Sequence, residues 1–280
     1  MAAGRLVVCP TPIGNLEDVT LRVLAALREA DVVACEDTRR TRTLLDRYGV
    51  RAPLVSYHEH NEERRAGELV ERMRGGEVVA LVSDAGMPLI SDPGFVLVRA
   101  CVAAGLAVEV LPGPSAALAA LVASALPADR WRFVGFMPRR RAELRRVFEE
   151  PGGTLVAFES PRRLPGTLGL LAEVDPERPV AVCRELTKVH EEVVRGTAAE
   201  LAERYADSPP RGEIVLVVGA PPEPARDAPS SEALDALARL IEAGAKPRSA
   251  ASVVAELTGE SANALYRELQ ISRATPDRPG

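Results

Sequence analysis

The chain has 280 residues, 46% of them hydrophobic and 27% charged, and a formal net charge of −5. This is the composition of a globular protein large enough for two modest domains, and it excludes a disordered chain. The negative balance argues against unspecific nucleic-acid binding, and no apolar run approaches the ~18 residues a membrane span needs.

In chain order, short apolar runs alternate with helical patterns. Residues 5–9 (RLVVC) predict a strand, 19–30 a helix, 31–36 a strand and 40–49 a helix with a glycine stop. Residues 52–58 read as extended, 62–76 as a charged helix, 77–83 as a strand, 95–105 as a helix and 107–113 as a strand. This alternation predicts a mainly parallel sheet covered by helices. A helix of small residues follows within 112–125, with Pro114 near its first position and Ser115 in its first turn. A second set of strands is expected at 132–136, 154–159, 179–185, 191–196 and 212–219, with helices between most of them. Residues 220–231 (APPEPARDAPSS) read as a Pro-rich linker. Three short helical patterns (232–243, 248–257, 261–270) and a polar tail complete the chain.

The start, MAAGRLVVCPTP, enters a strand at once and lacks a signal-peptide layout. Cys9, Cys35, Cys101 and Cys183 lie far apart in apolar runs, with no C-x-x-C pair. They are expected to be reduced, buried small hydrophobes in a cytoplasmic protein.

Parallel sheets bind ligands at the carboxyl ends of their strands. Four such ends carry unusual loops: PTPIGNLED (10–18), EDTRRT (36–41), SDAGMPLISDPG (83–94) and PGPSA (112–116). None is a P-loop, a G-x-G-x-x-G turn or a G-x-S-x-G elbow. Their small residues instead suit close backbone approach to a flat, mostly uncharged group such as a purine. Asp84 and Asp92 can take a ribose hydroxyl or an ammonium-like charge. Asp92 also stands where an N-cap belongs, with Pro93 as first helical residue. HEH (58–60) has no third ligand type near it in sequence, so no metal is expected.

These stretches, together with VSYHEHNE (55–62), GFMPRR (135–140), FESPRR (158–163), RELTKVHEE (184–192) and RGEIVLVVG (211–219), occur in the order found in a known family. The chain resembles the small-subunit ribosomal RNA methyltransferases of type I, a branch of the tetrapyrrole-methylase-like (class III) S-adenosylmethionine methyltransferases. The resemblance runs from residue 5 to 219. It implies two α/β domains, 1–113 and 114–219, with a cofactor cleft between them, followed by the linker and a small helical appendage at 232–280. It implies S-adenosylmethionine as cofactor and methyl transfer to the ribose 2′-hydroxyl of a cytidine in the decoding region of 16S rRNA within the small ribosomal subunit. It further implies a homodimer. Two departures stand out. Met87 and Leu89 replace the family's usual Thr and Gly, which bears on loop shape. Arg162 replaces a His, so no general base is assigned there.

On this resemblance Pro12, Ser83, Asp84, Ala85, Gly86, Asp92, Pro112, Pro114, Ser115, Phe158, Glu159 and Ser160 are expected to contact the cofactor. Glu36, Asp37 and Arg39 are candidates for substrate handling; otherwise the segment is a helix start capped by Thr38. Lys188 is either a general base or a charge anchor. Carboxylates at 185, 191 and 192 would raise its pKa, which favours the anchor. Arg39, Arg139, Arg140, Arg141 and Arg162 lie in basic islands suited to rRNA phosphates. Few aromatic residues lie near them, so base stacking is not expected. Two rivals are weighed: a tetrapyrrole methyltransferase of the same fold, and an RNA-binding assembly factor without catalysis. The motif pair PTPIGNLEDVT and EDTRRT disfavours the first, and intact SDAG, PGPSA and FES the second.

Overall fold

Near-continuous apolar runs build the first sheet, because parallel strands are buried on both faces. A computed structural model describes residues 4–221 and 229–274, with side chains to residue 269. The first sheet holds β1 (Arg5–Val8), β2 (Val32–Cys35), β3 (Leu54–Ser56), β4 (Val78–Val82) and β5 (Ala107–Val110), in the order β3-β2-β4-β1-β5. Every pairing in it is parallel, as expected. Side chains alternate between its faces. On one face Val7, Val33 and Ala80 meet Val23 and Leu27 of α1 (Leu21–Glu29) and Leu45 of α2 (Thr38–Arg47). On the other, Leu6, Ala34 and Leu81 meet Leu69 and Met73 of α3 (Glu62–Arg74) and Leu97 of α4 (Phe95–Ala103). Each such buried Leu or Val is worth roughly 1.5–3 kcal/mol of transfer free energy.

The second sheet holds β6 (Trp131–Phe136), β7 (Thr154–Glu159), β8 (Pro179–Arg184), β9 (Glu192–Thr197) and β10 (Ile214–Val218), ordered β6-β7-β10-β8-β9. Only β6 and β7 pair in parallel; the other pairings are antiparallel. One face is covered by α6 (Arg141–Glu149), α7 (Leu164–Val174) and α8 (Ala198–Tyr205) through Phe148, Leu168 and Leu201. The other carries α5 (Ala116–Ser124), whose Ala117, Ala120 and Leu121 pack with Val156, Cys183 and Val215. Ile13, from the loop after β1, belongs to this same cluster. Ile13 thus ties a first-sheet loop to the core of the second sheet, and both sheets lie in one compact unit that ends at Pro221.

The remaining residues form a separate unit. In it α9 (Ser231–Glu242), α10 (Pro247–Thr258) and α11 (Ala262–Ala274) enclose Ala233, Leu237, Ala250, Val254 and Leu265. Ser230 caps α9, and its hydroxyl donates to Glu260 at 2.7 Å. Most of the Pro-rich linker (222–228) and the polar tail (275–280) lie outside the described residues. No helix among the described residues is long and apolar enough to cross a membrane. All four cysteines are buried and free.

Candidate active site

The loops at the carboxyl ends of the first sheet are joined to one another. Thr11 and Gly86 exchange backbone hydrogen bonds at 2.9 and 3.0 Å, and the Thr11 hydroxyl donates to Ser83 O at 3.0 Å. The Asp37 amide donates to Asp84 Oδ1 at 3.0 Å. Gly113 approaches the first loop so closely that a Cβ there would lie 2.7 Å from Pro10 Cβ. Inside SDAGMPLISDPG, Leu89 and Ser91 hold left-handed backbones (φ 73° and 67°), and Gly86 and Gly94 have φ of 80° and 137°. Leucine at a left-handed position is strained, by about 1–3 kcal/mol. The Leu89 side chain offsets this by packing on the core beneath α4.

The second wall comes from the other sheet. Gly135 (φ 67°) and a register break in β6 turn Phe136 outward, where its ring stands edge-on to Phe158 at 5.4 Å. Ser91 Oγ would lie 3.4 Å from a Cβ on Gly135, so the walls approach each other there. Below them the β8–β9 loop reaches the first: Asn15 N donates to Thr187 Oγ1 at 3.1 Å, and a Cβ on Gly14 would fall 2.5 Å from Lys188 Cγ.

Between the walls lies a cleft of about 470 Å³, within the range of small-ligand sites. Of the residues expected at the cofactor, Asp84, Ala85, Gly86, Asp92, Ser115, Phe158, Glu159 and Ser160 line it. Glu36 lines it too. Ser83 sits behind, buried, with its hydroxyl on Gly86 O at 3.2 Å. Pro12, Pro112, Pro114, Asp37, Lys188, Arg39, Arg139, Arg140, Arg141 and Arg162 are not among the lining residues. Arg40, Met87, Phe136, Leu186 and Glu213 are lining residues that sequence reading missed. Glu213 opens onto the cleft because β10 runs antiparallel to β7, pairing Ile214 with Glu159. A search of carboxyl strand ends passes over the amino end of such a strand.

Three helix starts differ from expectation. The N-cap of α4 is Gly94, not Asp92, so the Asp92 carboxylate faces the cleft instead of closing a helix. Asp37 rather than Thr38 caps α2, through Arg39 N at 2.8 Å. Ser115 itself caps α5, and Pro114 precedes the helix. The Glu159 carboxylate is turned inward, held by Ser160 N at 2.7 Å and the Thr167 hydroxyl at 2.6 Å. It thus fixes the β7–α7 turn, and Ser160 is the polar group it presents.

The cleft is acidic. Burial pushes the Asp92 carboxyl up to about 6, and the charges of Glu36 and Asp84 add to this against a hydrogen bond from Ser83. Burial also raises Glu36, with Asp84 adding to it. Between pH 4 and 6 the folded protein holds the Asp92 proton more tightly than the unfolded chain. Stability from this group therefore falls as pH rises through that window. Asp92→Asn should raise the unfolding free energy at pH 7 by on the order of 1 kcal/mol, the carboxyl being partly solvated, and flatten its dependence between pH 4 and 7. Urea titrations at pH 5 and 7 read this; an equal effect at both would remove Asp92 as its source.

Lys188 is held between two carboxylates. Its Nζ donates to Glu185 at 2.9 Å and to Glu213 at 3.0 Å. Burial alone would lower its pKa, but the bonds and charges of these carboxylates outweigh that, and the net direction is upward. Glu191 instead accepts from Thr187 N, and Glu192 pairs with Arg184 and Arg204. Among the basic islands, Arg140 pairs with Glu143 and Arg141 with Glu173. Arg139 and Arg162 are exposed and, among the described residues, pair with no carboxylate. Arg163, whose basic island (162–163) is a candidate for rRNA phosphates, instead donates to Met137 O and Pro138 O and braces the β6–α6 turn.

The arrangement suits a cationic ligand with a flat apolar part. Apolar side chains of Ile13, Phe136, Phe158 and Leu186 flank carboxylates of Glu36, Asp84, Asp92 and Glu213. Gly86 lets the backbone come close, since a Cβ there would meet Ile13 Cγ2 at 3.3 Å. S-adenosylmethionine, with its sulfonium, ammonium and purine, fits these residues. Among the described residues no group of three or more His, Cys, Asp or Glu side chains is arranged to hold a metal ion.

Comparison with known proteins follows the same line. Residues 5–202 match the family of tetrapyrrole (corrin/porphyrin) methylases. The chain is 48% identical to the ribosomal RNA small subunit methyltransferase I of Mesorhizobium japonicum over 92% of this chain and 89% of that one. It is 44% identical to the protein of the same name from Pseudomonas aeruginosa, over 96% and 97%. Among solved structures it is similar to a uroporphyrin-III-C-methyltransferase from Thermus thermophilus, with a TM-score of 0.57, 26% identity and coverage of 78% and 94%. Its fold is also that of a diphthine synthase, with a TM-score of 0.57, 17% identity and coverage of 78% and 90%. Fold, cleft and relatives agree, and the chain belongs to the tetrapyrrole methylase family of methyltransferases, in its ribosomal RNA small subunit methyltransferase I branch.

Proposed function

We propose that this protein uses S-adenosylmethionine to methylate the ribose 2′-hydroxyl of a cytidine in the decoding region of 16S rRNA, acting in the cytoplasm on the small ribosomal subunit. The observation that carries the reading is the convergence of motif loops from both sheets on one acidic cleft, in a chain 48% identical to a protein named for that substrate. The rival substrate class, a tetrapyrrole, is supported by the description of the whole family and by a likeness of 26% identity, below the 48% of the rRNA-named relative. The cofactor supplies a methyl group on a sulfonium. The hydroxyl oxygen forms the new bond to carbon, the carbon–sulfur bond breaks, and the hydroxyl proton leaves to water or a cleft carboxylate. The chain's residues supply alignment, to which proximity effects contribute up to about 7–11 kcal/mol. Glu36, Asp84, Asp92 and Ser160 hold polar groups of the cofactor and the reacting ribose, and Phe136 and Phe158 close on the apolar side.

Small subunits from a strain lacking the enzyme, incubated with purified protein and S-adenosylmethionine, should gain one ribose methyl in the decoding region. Methylation elsewhere, or only of a tetrapyrrole, contradicts the reading. We place rRNA phosphates on Arg139 and Arg162, with Arg39, Arg140 and Arg141 joining if their carboxylate partners yield. Arg139→Ala with Arg162→Ala should weaken subunit binding and lower the salt slope by about 0.7–0.9 per lost contact. A slope equal to wild type would leave both as solvated surface. A homodimer is supported by β5, an exposed edge strand, and by Val110, Leu118 and Val122, which are 59%, 50% and 79% exposed. Sedimentation velocity reads it directly.

A further inference from the structure

Arg40 is the one cation among the residues lining the cleft, where it faces carboxylates of Glu36, Asp84, Asp92 and Glu213. A phosphodiester entering such a site is repelled unless a positive charge is free to meet it. Arg40 is not free: it is paired with Asp84. Asp84 accepts the Asp37 amide on Oδ1 at 3.0 Å and stands 3.4 Å from Arg40 Nη1 through Oδ2. Arg39, one residue earlier, cannot substitute. Its guanidinium is forked on Asp37 by bonds of 3.2 and 2.9 Å, and it does not line the cleft.

The Arg40–Asp84 pair is uneven: the arginine side chain is 64% exposed, the aspartate 21%. An ion pair with one partner so exposed is cheap to break. We infer that the pair is an exchange contact: a cationic or hydroxyl group of the cofactor takes Asp84 Oδ2, and the released Arg40 receives an RNA phosphate at the cleft mouth. The released guanidinium offers the planar donor fork that matches a phosphate bidentately. This rests on the function proposed above. The two ligands then help each other, and by linkage each raises the other's affinity by the same factor. Because the broken contact is weak, that factor is small, about fivefold.

The test measures binding of unmethylated small subunits to the full-length protein, with and without saturating S-adenosylhomocysteine, and S-adenosylhomocysteine affinity by calorimetry. Wild type should bind subunits about fivefold more tightly in the presence of S-adenosylhomocysteine. Arg40→Ala should bind subunits more weakly, lose the fivefold gain, show a salt slope lower by about 0.7–0.9, and keep or improve its affinity for S-adenosylhomocysteine. Arg40→Lys should restore part of the subunit affinity. An Arg40→Ala protein with the full fivefold gain, or with an unchanged salt slope, overturns the inference. So does a wild type that binds both ligands independently, which leaves the proposed function standing. A wild type that binds neither ligand overturns both.

Discussion

Gly14→Val should lower single-turnover methylation by about a hundredfold or more while the protein still folds. Gly14 has no unusual backbone need; its role is space. A Cβ there would sit 2.5 Å from Lys188 Cγ, 2.8 Å from Thr187 Oγ1 and 3.0 Å from Leu186 O. The lysine stem can move, but the Leu186 carbonyl belongs to a loop held by Glu185 and Glu213. Valine therefore pushes the first-sheet loop away from the floor to which Asn15 binds. Overpacking of this kind costs about 1–3 kcal/mol. The larger loss is in alignment, since a displacement near 1 Å can cost about 10²-fold in rate. Ile13, next in the chain, lines the cleft and anchors the second core, so the shift reaches the site directly. Calorimetry with S-adenosylhomocysteine should show weakened binding in parallel. Normal turnover with normal affinity would mean the two loops are not fixed to each other.

The second large effect is expected at Lys188. Lys188→Met leaves Glu185 and Glu213 facing each other without their shared cation, on a loop where Glu185 and Thr187 already hold left-handed backbones (φ 52° and 66°). Turnover should fall on the order of tenfold to a hundredfold, equally across pH 6–9, because the cause is displacement of the cleft floor. Lys188→Arg keeps the charge and should keep most of the activity. Arginine cannot accept a proton at working pH, and a positioned base is worth roughly 10²–10⁴-fold. An arginine variant that binds both substrates normally yet is inactive in single turnover would therefore restore Lys188 as a base.

The first sheet was readable because buried parallel strands are apolar throughout and their ends carry Gly, Pro and Asp. Its four loops follow from that, whereas the cofactor contacts expected in them came from the family resemblance. The second sheet was readable as strands but not as directions: Ile214–Val218 has the same apolar run whichever way it pairs, so Glu213 at its amino end went unnoticed. Helix starts misled where two residues compete for one cap. Asp92 before Pro93 is a good cap by residue type, yet the turn at Gly94 closes the helix two residues later. In EDTRRT, the choice between Arg39 and Arg40 depends on which carboxylate each meets. Asp37 is adjacent in sequence, whereas Asp84 comes from another strand. Met87 and Leu89 put the loop shape in question, and the backbone takes a left-handed turn at Leu89 although the residue is not glycine.

That turn changes how the thermodynamic work of binding is divided. A glycine there would leave the segment many conformations and would have to lose them when the ligand arrives. Leucine accepts the strain during folding and is pinned by its contacts under α4. The entropy of ordering the loop is thus removed before binding, as in any preorganised site. For Leu89→Gly, calorimetry should show cofactor binding with a less favourable entropy and a lower affinity, even though the substitution relieves backbone strain. An unchanged binding entropy would mean that the loop is equally ordered with either residue.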